Sequence, residues 1–393
     1  MSLSRPRAAW LTALFAATAT GGLLAAPGQA GAVVGDAAPN GSYAFTAKID
    51  IGNGKRACTG ALIDQFWVIT AASCFADNPE QPSTVPAGKP VLPTTVTVGR
   101  TDLTTTAGQV RDVVELVPRP DRDLVLARLV NPVTDVTPLA VSSTAPALGE
   151  ELQVPGYGRT ATEWLPDQLH SAAFTVAAVK PTGLDIAPKA GTAAALCKGD
   201  TGSPAVRTVD GKAELAGITS RSWQNGCFGS TETAHSGAAD VRVDDLGSWI
   251  QQVRATDWKT PLVNANSGKC LEIDNSQLVN GARAQQWTCY DMPTSRWTFH
   301  WVGDGWEVVN SNSGKALEIA DSLKTDGAPA QQWTYVGIAT QKWDLVKGAA
   351  GYALKNRNSG KALEIDNSLK TDGAPAQQWT YYGIPTQEWA FSY

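Results

Sequence analysis

Three stretches near the end of the chain constrain its fold more than anything else: NSGKCLEIDNSQLVNGARAQQWTCY, NSGKALEIADSLKTDGAPAQQWTYV and NSGKALEIDNSLKTDGAPAQQWTYY. Gly268, Gly314 and Gly360 mark one phase of the repeat and Trp287, Trp333 and Trp379 another, each set spaced by 46 residues. A period of this length in three copies points to threefold quasi-symmetry, because each unit leaves an apolar face that only its neighbours cover. Nine of the fourteen tryptophans fall in this part, so they either form its core or line its sites.

The remaining sequence has a different texture. At 393 residues the chain exceeds one ordinary core, and composition shifts near Arg254-Ala255-Thr256-Asp257. Before that point lie short β-branched runs, Thr95 to Val98, Val110 to Val117, Leu124 to Val130, Leu152 to Pro155 and Phe174 to Val179, separated by Gly, Pro and Asp turns. Strands at that spacing predict a barrel or sandwich. The best helix candidate, Leu246 to Val253, closes this first unit.

Residues 1–32 read as an export signal: Arg5 and Arg7, an apolar run from Trp10 to Leu24 that is short for a membrane span, and small-residue cleavage sites ending at Ala30 or Ala32. No other run is apolar enough to cross a bilayer. The expected mature protein is secreted and extracellular. Losing the two arginines takes the formal net charge from -5 to -7, which gives no electrostatic reason to bind nucleic acid or an anionic membrane. Six cysteines fall as sequential pairs, Cys58 with Cys74, Cys197 with Cys227 and Cys270 with Cys289. In an exported chain an even count favours disulfides, and no spacing suits a zinc site, so neither metal nor cofactor is expected.

Three segments of the first unit belong together: GALIDQFWVITAASC with Ser73, DRDLVLARL with Asp123, and CKGDTGSPA with Asp200 and Thr201. Their order resembles the trypsin-like (chymotrypsin-fold) serine proteases, whose patterns read TAAHC, D-I-A-L and GDSGGP. VVGD at Val33, AGITS before Cys227 and the closing SWI extend the likeness over roughly Val33 to Val253. The resemblance implies an all-β domain, a chymotrypsin-like double six-stranded β-barrel, over residues 33–254.

Carried over position by position, the triad becomes Ser73, Asp123 and Thr201. In the family the histidine takes the proton of the attacking hydroxyl while the aspartate orients it. Ser73 cannot do this, since a hydroxyl has no basic form near neutral pH. His170, His235 and His300 lie elsewhere in the sequence. Thr201 adds a methyl at the nucleophile, and Ser203 adds a Cβ where close backbone approach is usual. Loss of the base costs on the order of a millionfold in turnover, about 8 kcal/mol of barrier.

Other family features carry over in part. Gly199 and Thr201 are the expected oxyanion-hole amides, and Asp200 is the expected partner of a new N-terminal amine on Val33. Ala195 stands where an aspartate would select basic side chains. Ser220 and Ser222 complete the expected specificity pocket, with Arg221 and Ser222 where Trp-Gly is usual. Asp123, without an imidazole, is expected to bond Ser73.

The repeats, with SGK-[CA]-LE-I and QQW, resemble the ricin-type β-trefoil lectin domain over residues 255–393, and the Cys270 to Cys289 pair agrees. That resemblance implies shallow sugar sites built from a carboxylate, amides and an aromatic platform, with avidity across copies. The positions are Glu272, Gln285 and Trp287; Glu318, Gln331, Trp333 and Gln341; Glu364, Gln377, Trp379 and Gln387. Thr294, Thr340 and Thr386 stand where asparagine is usual, and Ser295 replaces the last glutamine of the first copy, so the second and third copies are favoured. Trp297, Trp343 and Trp389 are expected in the core.

The expected partners are carbohydrate and a peptide or protein ligand in the degenerate cleft. Two other outcomes compete: an active endopeptidase delivered to glycans, and a surface protein with neither activity.

Overall fold

The computed structural model describes residues 35–391; the export signal and Val33 lie outside them. Two strand sets form the first unit. Strands β1 (Thr46–Ile51), β2 (Arg56–Asp64), β3 (Trp67–Thr70), β4 (Thr94–Val98), β5 (Gln109–Arg119) and β6 (Leu124–Leu129) close a barrel in the order β1-β2-β3-β6-β5-β4. The next six, β7 (Glu151–Gly156), β8 (His170–Val179), β9 (Gly183–Pro188), β10 (Pro204–Val209), β11 (Lys212–Ser222) and β12 (Ala238–Arg242), close a second ring in the same relative order, β7-β8-β9-β12-β11-β10. Four of the five expected strands lie within observed ones, and the fifth, Leu124 to Val130, runs one residue past Leu129, where β6 ends; TTVTV alternates inward apolar with outward polar residues, whereas LVLARL is buried along its whole length.

The helix α1 (Gly247–Arg254) starts one residue later than the sequence suggested. It turns Ile250 and Val253 back onto the first barrel's core, among Ile49, Val68 and Leu126. At its end Arg254 reaches Asp64 at 2.5 Å, fixing where the chain leaves for the repeats.

Each repeat contributes four strands, and the first and fourth of each pair into a six-membered ring. The middle two form hairpins, Glu272 opposite Gln285, Glu318 opposite Gln331 and Glu364 opposite Gln377. Trp297, Trp343 and Trp389 are fully buried, and their indole N–H groups donate to the carbonyls of Leu271, Leu317 and Leu363 at 2.9, 2.9 and 3.1 Å. The tryptophans thus divide between core and surface. All three expected disulfides are present.

The two units share a core. On β5 the neighbouring Val113 and Val114 point to opposite faces; Val113 packs inside its own barrel, while Val114 and Val130 join the trefoil cluster of Trp258, Trp306 and Leu345. Phe66 lies against Trp306 and Trp301, with ring centroids 5.3 and 6.0 Å apart. Polar bonds frame this contact: Arg128 donates to the Thr256 carbonyl at 2.6 Å, Asn131 to that of Leu345 at 3.0 Å, and the Trp306 indole to Asn131 at 3.2 Å. Asp112 receives Lys347 at 2.6 Å and the Tyr352 hydroxyl.

Candidate functional site

A single 3-10 turn, Ala72–Cys74, follows β3 and carries Ser73 to the floor of an open cleft of about 650 Å³. The Cys58–Cys74 disulfide anchors the turn. Asp123, the residue before β6, lines the same cleft, as do Thr201, Ser220 and Ser222. The Ser73 hydroxyl donates to Asp123 at 2.9 Å and its backbone N–H at 2.7 Å, while the Ser220 hydroxyl donates at 2.6 Å. Three donors thus occupy the carboxylate where an imidazole would be oriented.

Thr201 sits in a turn that sterics reserve for glycine on both sides. Gly199 has φ +103°, and a Cβ there would meet the Gly158 Cα at 2.8 Å. A Cβ on Gly202 would meet the Thr70 hydroxyl at 2.0 Å and the Thr59 carbonyl at 2.1 Å. Ser203 is nevertheless accommodated: it is fully buried, its hydroxyl has no partner among the described residues, and its N–H donates to the Asp200 carbonyl at 2.9 Å. The Gly199 and Thr201 amides, like the Thr201 hydroxyl, make no hydrogen bond among the described residues.

Asp200 is buried behind this turn and accepts the N–H groups of Gly158 at 2.7 Å and Cys197 at 2.9 Å. Burial pushes its carboxyl up to about 7. Its expected partner, Val33, lies outside the described residues.

No histidine lines the cleft. His170 is on β8 beside Asp200 and Ala195 in a separate small cavity, and burial holds its imidazole below its usual range. His235 faces Glu232 at 3.6 Å, and His300 lies between Asp257 and Glu307, both at 3.4 Å.

The specificity-pocket residues are only partly brought together. Ala195 is buried with Cys197 and Cys227, away from the cleft that Ser220 and Ser222 line. Between these walls lies a residue that sequence reasoning missed. Gln224 takes the Lys198 N–H at 2.9 Å and donates to Ser222 at 2.5 Å, so its amide bridges the gap into which a substrate side chain would have to pass. Its φ of +65° is the local signature, and a sequence does not display it.

On the trefoil, Gln285, Gln331 and Gln377 donate to Glu272, Glu318 and Glu364 at 3.1, 2.8 and 3.1 Å. Gln341 and Gln387, both fully buried, donate to the second oxygens of Glu318 and Glu364 at 2.9 Å. Ser295 bonds the Tyr290 and Met292 carbonyls instead, so Glu272 keeps one oxygen uncommitted among the described residues. Burial raises the carboxyls of Glu272 and Glu364 above their usual range. Trp287, Trp333 and Trp379 are 38%, 40% and 36% exposed. Each ring lies beside a glycine of another repeat, Gly373, Gly281 and Gly327, where a Cβ would come within 3.6 to 3.7 Å of it. The three constellations therefore sit at the seams between repeats.

Two six-stranded barrels with this cleft at their junction, followed by a threefold β-trefoil, define a chymotrypsin-like serine-protease unit joined to a lectin-type unit. Comparison with known families agrees: residues 32–250 match Trypsin, and residues 251–333 and 339–393 match the ricin-type beta-trefoil lectin domain-like family. The chain belongs to the trypsin family and carries a ricin-type lectin domain. It is 29% identical over 223 residues to a snake venom serine protease, Haly-2, of Gloydius brevicauda, covering 52% of this chain and 81% of that protein. It is 27% identical over 226 residues to the thrombin-like enzyme calobin-1 of Gloydius ussuriensis, covering 52% and 80%. A designed threefold-symmetric protein, ThreeFoil, is 36% identical over 34% of this chain and 96% of its own, with a TM-score of 0.33.

Proposed function

We propose that this is a secreted, catalytically inactive serine-protease homologue whose trefoil binds carbohydrate, a polysaccharide or the glycans of a glycoprotein. In this reading residues 1–32 are an export leader, 33–254 the degenerate protease domain and 255–393 the lectin domain. The observation that carries the inactivity is the occupation of Asp123 by Ser73 and Ser220 in a cleft that no histidine lines. A hydroxyl that donates its proton to Asp123 is no acceptor strong enough to activate Thr201. The paired Gly199 and Thr201 amides and a Val33 amine on Asp200 would then be inherited scaffold. Ala195 and the Gln224 bridge argue against a preference for basic side chains.

The carbohydrate reading is supported by three Glu–Gln pairs, each beside an exposed indole. Carboxylate and amide hydrogen-bond hydroxyls while the indole stacks on the sugar ring, and three weak sites gain strength by avidity. Glu272, with its uncommitted oxygen, makes the first repeat as well suited as the other two, despite its departure in sequence.

Retention of the purified protein on immobilised polysaccharide and its release by free sugar test the lectin half. A triple Trp287→Ala, Trp333→Ala, Trp379→Ala variant that stays folded and is retained as strongly as wild type refutes it.

A further inference from the structure

We infer that the degenerate cleft holds an acidic peptide segment without cleaving it; this rests on the reading of the cleft as non-hydrolytic. Arg56, Lys198 and Arg221 all line it. None of the three forms an ion pair among the described residues; Arg56 donates to the Ala76 carbonyl, and Lys198 and Arg221 are exposed. Two acids share the same surface, Asp123 and Glu80; the neutral donors on Asp123 leave its charge in place, so the lining sets three cations against two anions. A lining with a surplus of positive charge, and with the exposed Lys198 and Arg221 free of ion pairs among the described residues, attracts anions although the chain as a whole carries a net charge of -5.

Backbone geometry adds direction. Thr201 and Lys198 line the cleft, and the amides of Thr201 and of Gly199, two residues before it, make no hydrogen bond among the described residues, which leaves them open to a carboxylate. Along the opposite wall, pairing between β10 and β11 ends at Ile218, whereas β12 accompanies β11 to Ser222. Arg221 and Ser222 therefore keep one main-chain edge without a strand partner. An open strand edge recognises an extended polypeptide, through alternating N–H and C=O groups, better than it recognises a sugar ring. Arg221 then meets acidic side chains with a bidentate fork, and the Gln224 bridge leaves side chains to lie on the surface rather than enter a pocket.

The test uses the full chain and a fluorescein-labelled extended peptide rich in glutamate, beside the same peptide with glutamine, read by fluorescence anisotropy, with mass spectrometry of the peptide afterwards. The expected result is binding of the glutamate peptide that weakens as salt rises, little binding of the glutamine peptide, and intact peptide. The exposed pair change Lys198→Ala, Arg221→Ala is expected to weaken binding at least about tenfold. An unchanged melting curve and unchanged retention on polysaccharide then assign that loss to the cleft. Equal affinity for the two peptides, unaltered binding by the pair variant, or tighter binding of a sulfated oligosaccharide each overturns the acidic-peptide assignment. Cleavage of a peptide that still binds by charge overturns instead the non-hydrolytic reading on which the proposal rests.

Discussion

The two halves answer the loss of a side chain differently. The protease half has one cleft assembled from four separated segments, so on the proposed reading the single residue at Ser73 decides whether the cleft has a base. The trefoil half has three Glu–Gln–Trp constellations related by the repeat. There, Ser295 forfeits the bond that Gln341 and Gln387 make, yet the first site keeps its Glu272–Gln285 pair and exposed indole. Repetition lets a binding surface tolerate local change, whereas a catalytic relay is only as good as its one base.

The largest expected effect probes whether the halves are separable at all. Trp343 is fully buried and donates to Leu317, so Trp343→Ala should destabilise the trefoil by about 3–5 kcal/mol. Because Val114 and Val130 complete the trefoil core, urea unfolding should show the first barrel losing structure in the same transition. A trefoil that melts while the protease half keeps its tertiary signal would contradict the shared core.

A smaller effect belongs to the protease half alone. Asp240 on β12 is buried, and that burial, opposed by the Thr219 hydroxyl and helped by the charge of Asp185, pushes its carboxyl up to about 7. Since its folded value lies above the unfolded one of 3.8, the folded state holds the proton longer. Stability from this group is complete below the unfolded value and declines as pH rises toward 7. Asp240→Asn should flatten that decline and stabilise the protein near pH 8 by on the order of 2 kcal/mol. Parallel pH profiles for variant and wild type would exclude this assignment.

The smallest change sharpens the contrast between copies. Ser295→Gln should recreate the bond to the free oxygen of Glu272 and add about 1 kcal/mol of stability. A melting temperature that falls would mean that the Tyr290 and Met292 carbonyls need Ser295 more than Glu272 needs a donor.

Much of this was legible in the sequence because it is written in periods and ordered motifs. The 46-residue repeat announces threefold symmetry, to which the likeness to ricin-type domains adds the trefoil, and the alternating TTVTV and the largely apolar LVLARL both mark barrel strands. Trp297, Trp343 and Trp389 separate from Trp287, Trp333 and Trp379 by their neighbours in each repeat. The pairing of Ser73 with Asp123 also followed from ordered motifs. What escaped depends on contacts between segments far apart in sequence. The adjacent Val113 and Val114 announce two buried faces, but not that one of them is the floor of another domain. Gln224 bridges Lys198 and Ser222 through a left-handed backbone conformation, and Ala195 turns away from the cleft with its disulfide, neither of which a linear pattern records.

Hydrolysis of a broad set of peptide substrates by the mature protein, beside a Ser73→His, Thr201→Ser double variant, bears most directly on the central distinction. With the base absent, wild type should be silent while the double variant cleaves, a contrast on the order of a millionfold where the scaffold remains competent. Hydrolysis by wild type that Thr201→Ala abolishes would instead show that the cleft holds an active nucleophile and a base, and the protease half would have to be counted as an enzyme.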